Sequence, residues 1–213
     1  MSRNPRSPEK IEQIKDDIIE AALKLILDVG FNKMSMRKLA DKVGMTATNL
    51  YYYYSGKDEI YLHLQIKGFK LLYEIFEDIV STEKDPVRKL DKIIRAYLHF
   101  GFTNPDYYRI MLNSDTPRYT EYKGTDIEPV AYIDKEIALN MGKLSAQVIS
   151  EIAVTNPSIA IEDADFKAKQ MWITLHGIIV LNNRKILAEA DDNPEKLIER
   201  MCIEIMAQFE THI

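Results

Sequence analysis

Cysteine is almost absent from this sequence. The single Cys202 excludes an intramolecular disulfide and any zinc site built on several thiolates, and it predicts a reducing, cytoplasmic setting. Glycine is also sparse: no two of the eight lie closer than twelve residues, which excludes the Gly-rich phosphate loops of Rossmann and P-loop proteins. There is no Gly-x-Ser-x-Gly elbow and no zincin pair among the four histidines, and Cys202 sits in an apolar helical pattern rather than a polar, activating one. Neither an enzyme nor a bound cofactor or metal is therefore expected. No stretch approaches the ~20 uncharged apolar residues that cross a bilayer. The opening MSRNPRSPEK has no apolar signal core, so no membrane role is expected. Alternating β-branched runs bounded by hairpin turns are missing too, which argues against a sheet.

Periodic apolar residues, by contrast, are plentiful. Over 213 residues, 46% apolar and 29% charged, they suffice for one large domain or two small ones. Ile11, Ile14, Ile18, Ala22, Leu25 and Val29 recur at steps of three and four and predict a helix over 8–29. Ser7 is its N-cap, Pro8 fits the first turn and Gly30 supplies the stop. Asp85-Pro86, Asn104-Pro105 and Asn193-Pro194 are further start signals, predicting helices over 86–103, 105–112 and 194–211. SGKDEI starts another near 56 that runs to about 80, with Ser55 as cap and Asp58 as its capping-box-like partner. Two more patterns cover 128–154 and 162–189. Residues 113–126 are polar, lack a helical period and read as a linker. The fold class is all-α.

Charge is unevenly placed. The whole chain carries −5, yet from Lys33 to Lys57 five bases (Lys33, Arg37, Lys38, Lys42, Lys57) face one acid, Asp41, leaving +4 there and −9 elsewhere. Such an island suits local anion binding, and a solvated helix face would explain it about as well on charge alone. Its sequence carries more. In SMRKLADKVGMTATNLYYYY, residues 35–54, Ser35 caps one short helix and Thr46 caps another just beyond it. Ala40 is small where the helices cross, Gly44 permits a positive φ in the turn, and Leu39, Val43, Met45 and Leu50 fill the shared core. This spacing predicts a helix-turn-helix, the alternative being a helical hairpin inside a larger bundle. On a helical wheel Ala47, Leu50 and Tyr54 face inward, Thr48, Asn49 and Tyr52 face away, and Tyr51 and Tyr53 lie on the flanks. Asn can bond the edge of adenine and Tyr can donate to a phosphate, so the outward face suits a DNA major groove.

With the following SGKDEI, and after a helix ending in Val29-Gly30-Phe31, this segment resembles the DNA-binding domain of TetR-type transcriptional repressors over roughly residues 10–62. The resemblance implies a three-helix DNA-binding domain over 1–56, with Thr46 to Tyr52 on the recognition helix and Thr46, Thr48, Asn49 and Tyr52 reading bases. It implies phosphate contacts at Ser35, Arg37, Tyr51, Tyr53 and Lys57, with Tyr53 standing where the family usually has histidine. FTNPDYYRIML and MWITLHGIIVL are similar to segments of the family's C-terminal domain, the second to a branch with a Trp-x3-His-Gly segment.

Residues 57–213 are then expected to sense a ligand and to dimerise. An adaptable pocket of Met and Tyr would draw on Tyr97, Tyr108, Met111, Met141, Trp172 and His176, for an apolar or aromatic effector; the alternative is that these residues only fill the core, with His176 a satisfied core histidine holding its helix. Helix 166–186 has one apolar line at Ala168, Trp172, Leu175 and Ile179 and a second at Ile173, Val180 and Leu181, so it should be covered on two fronts. Gly177, Val180 and Ile205 are the expected dimer contacts, with Leu197, Met201 and Phe209 on the partner helix. The expected function is ligand-relieved repression by a homodimer on a palindromic double-stranded DNA operator. The alternative is an all-helical protein-interaction adaptor, which would leave the basic island and the outward tyrosines without a role.

Overall fold

A computed structural model describes residues 7–112 and 116–210, and among these there is no strand. The helices are α1 (Pro8–Val29), α2 (Met36–Lys42), α3 (Ala47–Tyr51), α4 (Lys57–Thr82), α5 (Pro86–Thr103), α6 (Pro105–Leu112), α7 (Tyr119–Tyr122), α8 (Glu128–Thr155), α9 (Ala164–Asn183), α10 (Ile186–Ala190) and α11 (Pro194–Ala207). No helix among the described residues is long and apolar enough to cross a membrane.

Local chemistry accounts for most boundaries. Ser7 accepts the N–H of Lys10, Asp85 accepts those of Val87 and Arg88, and Asn193 accepts that of Lys196, so each start is satisfied by a side-chain oxygen beside a proline. Gly30, at φ 82°, ends α1. The start of α4 differs from the expected capping box. Glu59, not Asp58, reaches back to the Ser55 N–H and hydroxyl (2.6 and 2.8 Å), while Asp58 accepts from the Tyr122 hydroxyl (3.3 Å).

Three other expectations need correction. The pattern over 162–189 is two helices, because Lys185 adopts the left-handed conformation (φ 61°) and Asn183 turns its amide to the Gly101 carbonyl (2.9 Å). The last helix ends at Ala207, short of 211, a residue outside those described. The linker contains a helical turn, α7, whose Tyr122 is buried with Leu62 and Ala131; residues 113–115 lie outside the described chain.

The described residues pack as two units, one drawn from the stretches 1–68 and 109–135, the other from 69–108 and 136–213. This division by packing does not coincide with the boundary read at residue 56. In the first unit α1 buries Ile14, Ile18 and Ala22, α2 and α3 bury Leu39, Ala40 and Leu50, and α4 buries Ile60, Tyr61 and Leu64. Residues 109–135 join it through polar bonds. The Tyr61 hydroxyl donates to the Ile110 carbonyl (2.7 Å), and the buried Gln65 amide reaches the carbonyls of Ile110 and Met111 (both 3.4 Å). The second unit buries Leu90, Ile93, Ile94 and Tyr97 of α5, Val148, Ile149 and Ile152 of α8, and Ala168, Leu175 and Ile179 of α9. Lys89 pairs with Glu151 (2.8 Å), and Arg95 bridges Asp91 and Glu199 (both 3.0 Å).

Candidate functional site

The most conspicuous site is the pair α2 and α3. Ser35 Oγ accepts the N–H of Lys38 (3.3 Å) and Thr46 Oγ1 that of Asn49 (3.2 Å), so both short helices have side-chain caps. Between them Gly44 takes φ 67°, and the Met45 N–H returns to the Ala40 carbonyl (2.9 Å), closing a turn that a side chain at 44 would strain. Ala40 and Leu50 are buried and fix the crossing.

This anchoring leaves one face of α3 outward. Thr46 and Thr48 are exposed, Asn49 is half-buried, and Tyr51 and Tyr52 are 53% and 76% exposed. The other two tyrosines turn in. Tyr54 is buried, its hydroxyl donating to the Lys15 carbonyl (3.4 Å), and burial pushes its pKa up. Tyr53 is buried as well, edge-on to Tyr52 with centroids 5.3 Å apart. Little of it is left for a phosphate to reach, so its reading as a flank residue changes to that of a packing residue.

The basic island is arranged around this helix pair. Ser35, Arg37, Lys38 and Lys33 are exposed, with the Lys38 ammonium donating to the Lys33 carbonyl (3.0 Å). Lys42 pairs with Asp28 (3.6 Å). Lys57, the first residue of α4, holds its ammonium 4.5 Å above the Phe31 ring, which itself meets Tyr61 edge-on. A capped helix with hydroxyl, amide and phenol groups outward, beside exposed and ring-seated cations, can donate to base edges and to phosphates at once.

In the second unit four of the six expected pocket residues come together. Trp172 Nε1 donates to Tyr97 Oη (2.9 Å), Tyr97 Oη lies 3.0 Å from Tyr108 Oη, and Tyr108 Oη lies 2.7 Å from His176 Nδ1. Burial pushes the Tyr97 pKa up to about 12 and the His176 pKa down. Met111 is buried in the other unit, and Met141 is half-buried on α8, its carbonyl accepting from Ser145 (3.0 Å). An open groove of about 450 Å³ lies elsewhere, between Thr174 of α9 and Leu197, Met201 and Ile205 of α11.

The expected dimer contacts divide. On α9, Ile173 is 62% exposed and Leu181 is exposed, Val180 is half-buried, and a Cβ at Gly177 would meet nothing within 4 Å. Ile205 differs: it is 6% exposed where it lines the α9–α11 groove, so little of it is left for a partner. On α11 the outward apolar residue is Ile203. Gly101 also escaped the sequence reading. A Cβ there would come within 2.5 Å of Ile179, so α5 and α9 approach closely at that point.

Two family descriptions match this chain. Bacterial regulatory proteins of the tetR family match residues 18–64, and the tetracyclin repressor-like C-terminal domain matches residues 90–204. An uncharacterised HTH-type transcriptional regulator of Bacillus subtilis, YobS, is 23% identical over 188 residues, covering 88% of this chain and 86% of its own length. Among solved structures, the fatty acid degradation regulator FadR from Bacillus halodurans superposes with a TM-score of 0.69 at 14% identity, covering 95% of this chain and 97% of that one. The ketosteroid transcriptional regulator KstR2 of Mycobacterium tuberculosis superposes at 0.66 and 13% identity, covering 97% of this chain and 97% of that one. At such identities these likenesses concern the fold.

Proposed function

The chain belongs to the TetR family of bacterial regulatory proteins, and from that premise we propose that it is a repressor, binding a palindromic operator as a homodimer until a small apolar or aromatic molecule releases it. The observation that carries the DNA reading is the outward face of α3: Thr48 and Tyr52 exposed and Asn49 half-buried, on a helix capped at Thr46 and fixed by Leu50. Ser35, Arg37, Tyr51 and Lys57 surround that face as phosphate contacts, the hydroxyls donating and the cations pairing. Pairing of two copies is supported by the apolar stripe Ile173, Val180 and Leu181 on α9, with Ile203 on α11. In this role Gly177 would let two helices approach closely.

An effector that binds the aromatic cluster of the second unit has a covalent route to the DNA-binding unit. Helix α4 begins at Lys57, next to the recognition helix, and contributes residues to both units. A coupling of about 1–3 kcal/mol suffices for release.

A gel-shift on the DNA upstream of the chain's own gene tests the DNA reading, and binding-site selection refines it. Asn49→Ala should lose about 1–3 kcal/mol at one base pair and relax preference there. An identical sequence preference for the variant would remove Asn49 from the reading set. Sensing is tested separately, by a thermal-shift screen followed by operator titration. If every stabilising compound leaves operator affinity unchanged, the sensing role fails while the DNA-binding role stands.

A further inference from the structure

The hydrogen-bond chain through Trp172, Tyr97, Tyr108 and His176 has a direction, and it is set at one end. An indole N–H can only donate, and that of Trp172 donates to Tyr97 Oη. Tyr97 is buried, and the other described partner of its hydroxyl is Tyr108 Oη. The Tyr97 proton therefore points to Tyr108, since the reverse order would leave a buried phenol O–H without an acceptor. Tyr108, also buried, passes its own proton to the remaining acceptor, His176 Nδ1. With Nδ1 accepting, the neutral imidazole carries its hydrogen on Nε2. Protonating the ring would place a donor on Nδ1 and reverse every bond back to Tyr97.

The Nε2–H end of the chain is open. It makes no described hydrogen bond, and His176 is only half-buried. The His176 ring is stacked against Tyr108 and Trp172 (centroids 5.7 and 5.8 Å), and Trp172 is 45% exposed. A fixed donor thus sits beside a flat, accessible aromatic surface. Among the described residues none of the four takes part in an ion pair.

We propose that the Nε2–H of His176 is the hydrogen-bond donor that recognises the effector, and that the effector is an uncharged aromatic or apolar molecule bearing a carbonyl oxygen. This rests on the sensing role proposed above and narrows its chemistry. An ammonium ligand would bring a donor to a donor. A carboxylate would gain most from a protonated ring, which the one-way chain opposes. A neutral carbonyl needs only the hydrogen already presented, while its apolar body lies on Trp172. Trp172 is then a positioning residue as well, holding His176 in the donating tautomer from two hydroxyls away.

The test uses the full chain labelled with ¹⁵N-histidine, whose ring nitrogen shifts report the tautomer. Acetophenone and 1-phenylethylamine, similar in body and opposite in hydrogen-bonding sense, are the probes at millimolar concentration. The expected result is an Nε2–H tautomer whose signal moves with acetophenone and not with the amine. Trp172→Phe, or Tyr108→Phe, which removes the hydroxyl that donates to Nδ1, should the first variant fold poorly, should give a mixture of tautomers and weaken acetophenone at least fivefold. An Nδ1–H tautomer in the unmodified chain, equal responses to both probes, or no response to acetophenone would overturn the proposal. A compound that releases the operator without moving the His176 signal also overturns it, and leaves the sensing role intact. If acetophenone moves the signal but neither it nor any stabilising compound alters operator affinity, the sensing role fails and the effector assignment goes with it.

Discussion

A methyl group is a fine probe of this molecule, because two helical glycines give it opposite receptions. At Gly101 a Cβ would come within 2.5–2.8 Å of three side-chain atoms of Ile179, more overlap than one rotamer change relieves. Gly101→Ala should therefore cost about 1–3 kcal/mol, lowering Tm by roughly 2–4 °C per kcal/mol for a chain of this size, as a thermal melt will read. Gly177→Ala meets nothing within its chain, so its effect on a monomer is the ordinary gain in helix propensity. Asp134 offers a second probe. Its Oδ1 is buried without a partner, and burial raises its pKa to about 7 against a weaker opposing pull from Arg118. Because the folded chain holds this proton where the unfolded chain has released it, Asp134 withdraws stability as pH rises from the usual carboxylate range through 7. Asp134→Asn should accordingly raise Tm by a few degrees at pH 8, and by much less at pH 4.5, in paired calorimetric scans.

Helices that own their boundaries were legible from sequence, and those that borrow them were not. Ser7, Ser35, Thr46, Asp85 and Asn193 cap as read, because a cap involves residues two or three apart. The break at Lys185 depends on an Asn183 bond to Gly101, 82 residues away, and Tyr122 is buried by Leu62, far off in sequence as well. Periodicity along one segment carries no trace of either. The same holds for the candidate site: the outward face of α3 follows from a wheel, whereas the burial of Tyr53 and the joining of Tyr97, Tyr108, Trp172 and His176 require the tertiary structure. Helix α9 is the instructive intermediate. Its two apolar lines were evident, and the structure covers Ala168, Leu175 and Ile179 of the first while leaving Trp172 of that line, and Ile173 and Leu181 of the second, out. A charge on the open line should separate the copies without unfolding them. Ile173→Glu should sediment as a folded monomer and lose operator affinity, while the same change at buried Ile205 should lower Tm instead. Analytical ultracentrifugation showing an intact Ile173→Glu dimer would move the interface elsewhere.

On the function proposed above, DNA and effector compete through one equilibrium. A compound that weakens operator binding by some factor must itself bind the operator-loaded chain more weakly by the same factor, which calorimetry with and without DNA will measure. The proposed dimer, with two copies on one face of the duplex, must also hold its recognition helices about 34–36 Å apart, or a multiple of that turn. The helix they present has five residues. At a rise of about 1.5 Å each it covers roughly 7 Å of groove, the height of about two base pairs. If three side chains each settle one base pair, a single head spells a word that chance supplies about once in 60 base pairs. Two heads square those odds to about one in 4,000, which still leaves on the order of a thousand accidental addresses in a genome of several million base pairs. So short a helix cannot hold the whole address. On this proposal the remaining information is expected in groove width and bendability, at base pairs that α3 does not touch.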